Sequence, residues 1–257
     1  MRFRDRVALI TAAGAGIGRA AARLLATDGA RVALLDVAAE PLAGVAASIR
    51  EAGGTCLTLA ADALDEAQVE SAVREVIAGF GRIDILVNMV GGSTVTGRSE
   101  ASVDDLSLAE WEELLAFNLR GTFLCTRAVI PHMKRQRSGR IVNVSSIVAR
   151  GDRAAEKSNA AYVLAKAGIR ALTRKLAFEL GPFGITCNAT APGVTLTERL
   201  ETQILSQRTA EARRQMDRSV PLGRQATPED QARVIAFLAS DDAAFVSGQT
   251  LEVTGGQ

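Results

Sequence analysis

The stretch TAAGAGIGRAAARLL, residues 11–25, decides the fold. Gly14, Gly16 and Gly18 follow the apolar run Val7–Thr11 and open a segment whose apolar residues recur at helical spacing. Missing side chains let the backbone approach a pyrophosphate, and the unpaired N–H groups and partial positive charge of a helix start receive it. A glycine triplet alone is often no more than a tight turn. Here it sits between a strand and a helix, and Asp36 closes the next apolar run about 20 residues further on, which together form the dinucleotide-binding pattern.

Working outward, short runs rich in Val, Ile and Leu alternate with helix-period segments along the whole chain. Strands are predicted at Val7–Thr11, Arg31–Asp36, Thr55–Ala60, Ile85–Asn88, Arg140–Ser145, Ile185–Ala189 and Thr250–Val253. The runs are apolar nearly throughout, as parallel strands covered on both faces require. Helices are predicted at Gly18–Thr27, Leu42–Glu51, Glu66–Gly79, Leu108–Lys134, Ala160–Leu180 and Glu229–Ser240, the last with Thr227 as N-cap and Pro228 at its first position. The expectation is an α/β, doubly wound, Rossmann-type three-layer fold on a seven-stranded parallel sheet. Residues 1–257 form a single catalytic domain, with a mobile substrate lid at about 194–223.

Composition removes several function classes. With 30 Lys and Arg against 29 Asp and Glu, the chain lacks the field that would hold nucleic acid or anionic lipid. No apolar run approaches the roughly 20 residues of a membrane span. Cys56, Cys125 and Cys187 are widely spaced in apolar segments, which reads as reduced core thiols and a cytoplasmic protein without processing. The N-x-Ser/Thr matches at Asn143 and Asn188 fall in strands and are chance, as is the RGD at residues 150–152. The single histidine, His132, lies near the end of a long helix, so histidine-based hydrolysis and a histidine zinc site are disfavoured and no metal is expected.

The remaining acid or base is the only tyrosine, Tyr162, with Lys166 four residues later on the same helix face. A phenol acting near neutrality needs its pKa brought down from about 10 toward 7, roughly 4 kcal/mol, and one close cation supplies about that much. In an isolated Y-x-x-x-K the tyrosine would merely pack while the lysine reaches solvent. Upstream, however, the run GRIVNVSSIVA ends a buried strand in two serines. Ser146 can donate to a substrate oxygen, and its neighbour Ser145 points the other way. Asp36 accepts the hydroxyls of an adenosine ribose and selects NAD. A 2′-phosphate there would meet a like charge, costing roughly 4 kcal/mol, with no Lys or Arg at Ala15, Val37 or Ala38 to offset it.

From Arg6 to Gly256 these residues resemble the short-chain dehydrogenase/reductase family. Thr11–Gly18 is similar to its T-G-x-x-x-G-x-G loop, NMVG at Asn88–Gly91 to its N-N-A-G, and Tyr162–Lys166 to its Y-x-x-x-K. The resemblance implies a catalytic tetrad of Asn118, Ser146, Tyr162 and Lys166, with Asn118 positioning a water relay. It implies cofactor contacts from Thr11, Gly14, Gly16, Ile17, Gly18, Asp36, Asp62, Ala63, Asn88, Gly91, Tyr162, Lys166, Pro192, Gly193, Thr195 and Thr197. Its C-terminal signature, SGQTLEVTGG, implies a homotetramer, and Trp111, Leu115, Phe123, Ala161, Ala165 and Leu172 are expected to supply surplus apolar helix surface. Two departures stand out: Ala12 replaces the first family glycine, and Met89-Val90 replace Asn-Ala. The loop before Tyr162, RGDRAAEKSN, is longer than in many relatives and is expected beside the substrate.

The expected function is NAD(H)-dependent interconversion of a small secondary alcohol and a ketone. An NADPH-dependent 3-oxoacyl thioester reductase and a catalytically idle NAD-binding regulatory protein remain as alternatives. In the lid, Arg199, Arg208, Arg213, Arg214 and Arg218 invite an anionic substrate, but Glu198, Glu201, Glu211 and Asp217 nearly cancel them. A solvated amphipathic helix is therefore expected there.

Overall fold

The computed structural model describes residues 1–203, 206 and 208–257. Seven strands form its sheet: β1 (Val7–Thr11), β2 (Arg31–Asp36), β3 (Cys56–Ala60), β4 (Ile85–Asn88), β5 (Gly139–Val144), β6 (Ile185–Pro192) and β7 (Thr250–Val253). They lie in the order β3-β2-β1-β4-β5-β6-β7, and every pairing is parallel. The helices among the described residues are α1 (Gly16–Thr27), α2 (Ala39–Glu51), α3 (Glu66–Phe80), α4 (Leu108–Leu115), α5 (Gly121–Gln136), α6 (Ala160–Leu180), α7 (Glu198–Gln203), α8 (Ala210–Arg218) and α9 (Pro228–Ala239).

Alternation along each strand divides the core between the two faces of the sheet. Ala8 and Ile10 of β1 face a cluster with Leu25 of α1, Leu42 of α2 and Ile235 of α9. Val7 and Leu9 face the opposite cluster, with Val76 of α3, Met133 of α5 and Leu180 of α6. The chain leaves β3 at one edge and re-enters the sheet at β4, beside β1. Connections on the two sides of that junction run to opposite faces, and a crevice opens at the carboxyl ends of β1 and β4.

The sequence-predicted strands lie where expected, with ends shifted by a few residues. The helix predicted over Leu108–Lys134 is instead α4 and α5, joined by a π-helical turn over Ala116–Arg120. An extra residue per turn does not disturb the apolar period enough to show in the sequence. α9 starts as predicted: Thr227 accepts from the N–H of Asp230, whose side chain accepts from the N–H of Thr227, and Pro228 occupies the first turn. Asn143 and Asn188 are fully buried, which excludes both as glycosylation acceptors in the folded chain.

α1 begins at Gly16, two residues earlier than predicted. Gly18 lies so close to the Ala12 carbonyl that any Cβ there would collide with it. Ala12 itself has φ +49°, a left-handed conformation that disfavours a side chain. Replacing Ala12 by Gly is expected to raise the unfolding free energy by about 1 kcal/mol, because the strain of a Cβ in the left-handed region disappears. Gly18→Ala is expected to lower it. Urea denaturation of the two variants measures both signs, and a less stable A12G protein would contradict the strain.

Candidate active site

The crevice is a chain of three spaces bordered in common by Gly91 and Arg199. One, of about 210 Å³, is lined by Asp36, Asp62 and Ala63. Beside it lies a space of about 250 Å³ against Gly16, Ile17 and Gly18. The largest, about 460 Å³, is lined by Ser146, Tyr162, Lys166, Pro192, Gly193 and Thr195 among others. Thr197 borders the last two. The structure thus brings most of the sequence-predicted site residues to one cleft. Four do not line it. Gly14 stands behind Asp36, to which its N–H donates. Thr11 is buried, its Oγ1 accepting from the Met89 N–H (2.8 Å) and so tying the end of β1 to β4. Asn88 is buried behind the cleft, donating to Thr126 Oγ1 (3.0 Å) and Asn143 Oδ1 (2.9 Å). Asn118 is wholly buried as well.

At the glycine loop, Gly16 takes φ +53° and points its N–H outward, where the Glu198 carboxylate accepts it at 3.3 Å and also pairs with Arg19. An anion therefore already sits at the start of α1, supplied by the chain itself. Asp36 is held by two backbone donors, Gly14 N–H (3.0 Å) and Ala38 N–H (3.1 Å). Among the described residues no group of three or more His, Cys, Asp or Glu could hold a metal ion.

The N-terminus of α6 presents Tyr162. Asn159, fully buried, caps that helix by accepting from the Tyr162 N–H (2.9 Å), and its own N–H donates to Ser99 O (2.7 Å). This residue was missed in the sequence reading, although an asparagine immediately before a helical run is the signal of an N-cap. Ser145 donates its hydroxyl to Lys166 O (2.7 Å), whereas the Ser146 hydroxyl is within bonding reach of the Tyr162 phenol. Asn118, on the π-helical turn, uses its amide as a clamp. Its Nδ2 donates to Leu114 O (2.9 Å) and Gly92 O (3.0 Å), and its Oδ1 accepts from Gly92 N–H (2.9 Å). Gly91, at φ +153°, must be glycine: a Cβ would lie 2.7 Å from both Asn118 Oδ1 and Lys166 Nζ.

The electrostatics correct one expectation. Burial pushes the Tyr162 phenol above its ordinary value; the Ser146 hydrogen bond and the positive charge of Arg199 oppose this without reversing it. Lys166 was expected to depress the phenol. It lies 5.7 Å from the ring centroid and donates to Val144 O (3.0 Å), and its own burial lowers its pKa to about 8. The positive charge that opposes the burial of the phenol is that of Arg199.

Residues 11–257 match the family described as enoyl-(acyl carrier protein) reductase. A cis-4-hydroxycyclohexanecarboxylate dehydrogenase of Sinomonas cyclohexanicum is 40% identical over 254 residues, covering 99% of this chain and 97% of that protein. The solved structure of levodione reductase superposes with a TM-score of 0.91 and 36% identity, covering 100% of this chain and 98% of that one. The chain belongs to the short-chain dehydrogenase/reductase family. A 7α-hydroxysteroid dehydrogenase of known structure, complexed with NADH and 7-oxo glycochenodeoxycholic acid, superposes at TM-score 0.89 with 33% identity over 99% of this chain and 95% of its own. Membership makes the chain an oxidoreductase, and its cleft fits a nicotinamide dinucleotide. The test is in the backbone: the start of α1 accepts an anion, and the approach to it and to Lys166 passes glycines whose side chains would fill the space. No helix among the described residues is long and apolar enough to cross a membrane.

Two outcomes follow from this geometry. Asn118→Ala leaves the Gly92 and Leu114 backbone groups without their partner, and is expected to cost about 1–3 kcal/mol in urea denaturation. For Lys166, the unfolded chain keeps its proton to about 10.5 while the folded one releases it near 8. Between those values the unfolded state binds more protons, so this group raises stability as pH increases through the interval. Unfolding free energies of wild type and Lys166→Met from pH 7 to 10 are therefore expected to move in favour of wild type as pH rises. A flat difference would show that the buried amine is not perturbed.

Proposed function

We propose that the chain is an NAD(H)-dependent dehydrogenase interconverting a secondary alcohol and a ketone, with Tyr162 as the acid/base. The observation that carries this reading is the meeting of Tyr162, Ser146 and Lys166 in one cleft that continues, past Gly91, to Asp36. Two relatives point the same way: one is a dehydrogenase of a hydroxycyclohexanecarboxylate, and the other, a hydroxysteroid dehydrogenase, is complexed with NADH and a 7-oxo compound.

In this reading Ser146 donates to the substrate oxygen and Tyr162 takes the hydroxyl proton during oxidation, returning it during reduction. Lys166 supports the phenolate and binds the nicotinamide ribose, while Asn118 positions the water relay and, through Gly92, the turn beside it. Gly16, Ile17 and Gly18 receive the pyrophosphate, with Thr11, Gly14 and Asn88 shaping the loop. Asp62 and Ala63 border the adenine, and Gly91, Pro192, Gly193, Thr195 and Thr197 the nicotinamide. When bound, the nicotinamide supplies the carbon that exchanges hydride with the substrate and, when oxidised, a positive charge beside the phenol. Asp36 favours NAD over NADP because its carboxylate faces the ribose without a Lys or Arg at Ala15, Val37 or Ala38.

Residues 194–223, of which 204, 205 and 207 lie outside the described residues, act as the lid of this one catalytic domain, and the protein works in the cytoplasm as a homotetramer. The tetramer reading rests on Phe123 and Leu164, about half exposed, and on Phe178 and Phe245, which are almost fully exposed. Ala161 and Ala165 do not contribute, being fully buried within the protomer.

The test is nicotinamide absorbance across a panel of secondary alcohols, with NAD and NADP in parallel. Turnover with NAD is expected, falling by about 10²–10⁴ in Tyr162→Phe, and oxidation is expected to accelerate as pH rises because the base must lose its proton. Turnover unchanged in Tyr162→Phe would refute the mechanism, NADP preference would refute the role of Asp36, and saturable NADH binding with no turnover would favour a regulatory protein.

A further inference from the structure

We propose that Glu198 is a built-in occupant of the phosphate site at the start of α1, which the incoming dinucleotide must displace, so that cofactor loading unfastens α7 from the glycine loop. This rests on the reading of the crevice as a dinucleotide site and assigns a residue that governs entry to it. The carboxylate comes from the rim, 182 residues along the chain from the amide it meets. One of its oxygens accepts from the Gly16 N–H at 3.3 Å, and the other pairs with Arg19 on the first turn of α1. An exposed ion pair of that kind is worth little by itself. The bond to Gly16 differs because it lies inside the crevice, where Glu198 lines the 250 Å³ space together with Gly16, Ile17 and Gly18.

The neighbouring contacts make Glu198 a latch. Leu196, two residues earlier, is fixed to the body of the protein: its N–H donates to Ala226 O (2.8 Å), and the Ala226 N–H donates to Val194 O (3.3 Å). From there the chain crosses the crevice. Thr197 lies against the glycine loop, its Cγ2 3.2 Å from the position a Cβ on Gly16 would take, and its Oγ1 accepts from the Leu200 N–H (3.3 Å) at the start of α7. Arg199 reaches the other side, donating to Thr94 Oγ1 in the loop after β4. Three successive residues therefore join the loop after β1 to the loop after β4, and all three line the 250 Å³ space.

The Gly16 N–H cannot satisfy a carboxylate and a phosphate in the same place, and two anions in contact at one helix start repel each other. Binding of a diphosphate therefore requires Glu198 to leave. The fraction of molecules in which it has left scales the apparent affinity for the dinucleotide. Thr197 and Arg199, its neighbours in the chain, move with it, and both also line the 460 Å³ space that contains Tyr162. Occupancy of the phosphate site is thereby transmitted to the wall of the catalytic space.

The test measures NADH binding by fluorescence titration in wild type and Glu198→Gln, with ADP-ribose and adenosine as competitors. The dissociation constants of NADH and ADP-ribose are expected to fall by about 5- to 30-fold in Glu198→Gln, while adenosine, which has no phosphate, is held equally by both proteins. Stopped-flow mixing should place the gain in the association rate, since the occupant limits how often the site is open. The same gain is expected when the two proteins are compared in an Arg19→Gln background. Unchanged NADH binding, or tightening of adenosine by the same factor, would overturn the latch and leave the dinucleotide site intact. So would a gain that vanishes with Arg19→Gln, which would assign it to the released guanidinium, or one found wholly in the dissociation rate, which would assign it to a new contact made by the amide. Failure of both proteins to bind NADH or ADP-ribose would bring down the dinucleotide reading and this inference together.

Discussion

The arrangement of the site follows from the burial of β1 on both faces. Its five residues expose essentially nothing and only Thr11 among them is polar, so both faces must be covered by helices. Parallel pairing with β2 and β4 satisfies the backbone and forces each connection to cross over the sheet. All strands then end at one edge, and the loops that follow them meet there. The glycine loop after β1, Asp36 at the end of β2, Gly91 after β4 and Ser146 after β5 are neighbours for that reason, although they span more than half of the chain.

The parts legible in the sequence are those whose physics is local. Continuous Val, Ile and Leu runs announce buried strands, and Thr227-Pro228 announces the start of α9, because each signal lies within a few residues of the structure it causes. Ala12 belongs to the same class: it stands where the family has glycine, and its φ of +49° is a conformation that glycine adopts freely. What could not be read depends on contacts distant in the chain. The π-helical turn at Ala116–Arg120 exists where the Asn118 amide can reach Gly92, 26 residues earlier, and nothing in the spacing around Asn118 reports it.

The polar interior explains why some motif residues stand behind the cleft. Asn88 and Asn143 are opposite each other in β4 and β5, and their amides continue a chain of hydrogen bonds from Thr126 on α5 through to Thr173 and the Ile169 carbonyl on α6. Such a chain fixes the two helices against the sheet at one register, since a shift of either would leave buried donors unpaired. One acceptor, Asn88 Oδ1, is already without a protein partner. α6 carries Tyr162 and Lys166, so this buried ladder sets where the phenol and amine stand without touching them.

That placement imposes a cost on the two titratable groups themselves. The burial that orients Tyr162 and Lys166 also disfavours the charged form of each, raising the phenol and lowering the amine to about 8. Burial acts on the two groups in opposite senses and drives each toward its neutral form. The separation between an unperturbed tyrosine and lysine is only about half a unit in water. Desolvation therefore inverts their order, and the phenolate form depends on positive charge arriving from elsewhere in the cleft. Arg199 is one such source in the protein alone, and its effect on the phenol is in the required direction. α7 thus bears on the phenol through the charge of Arg199.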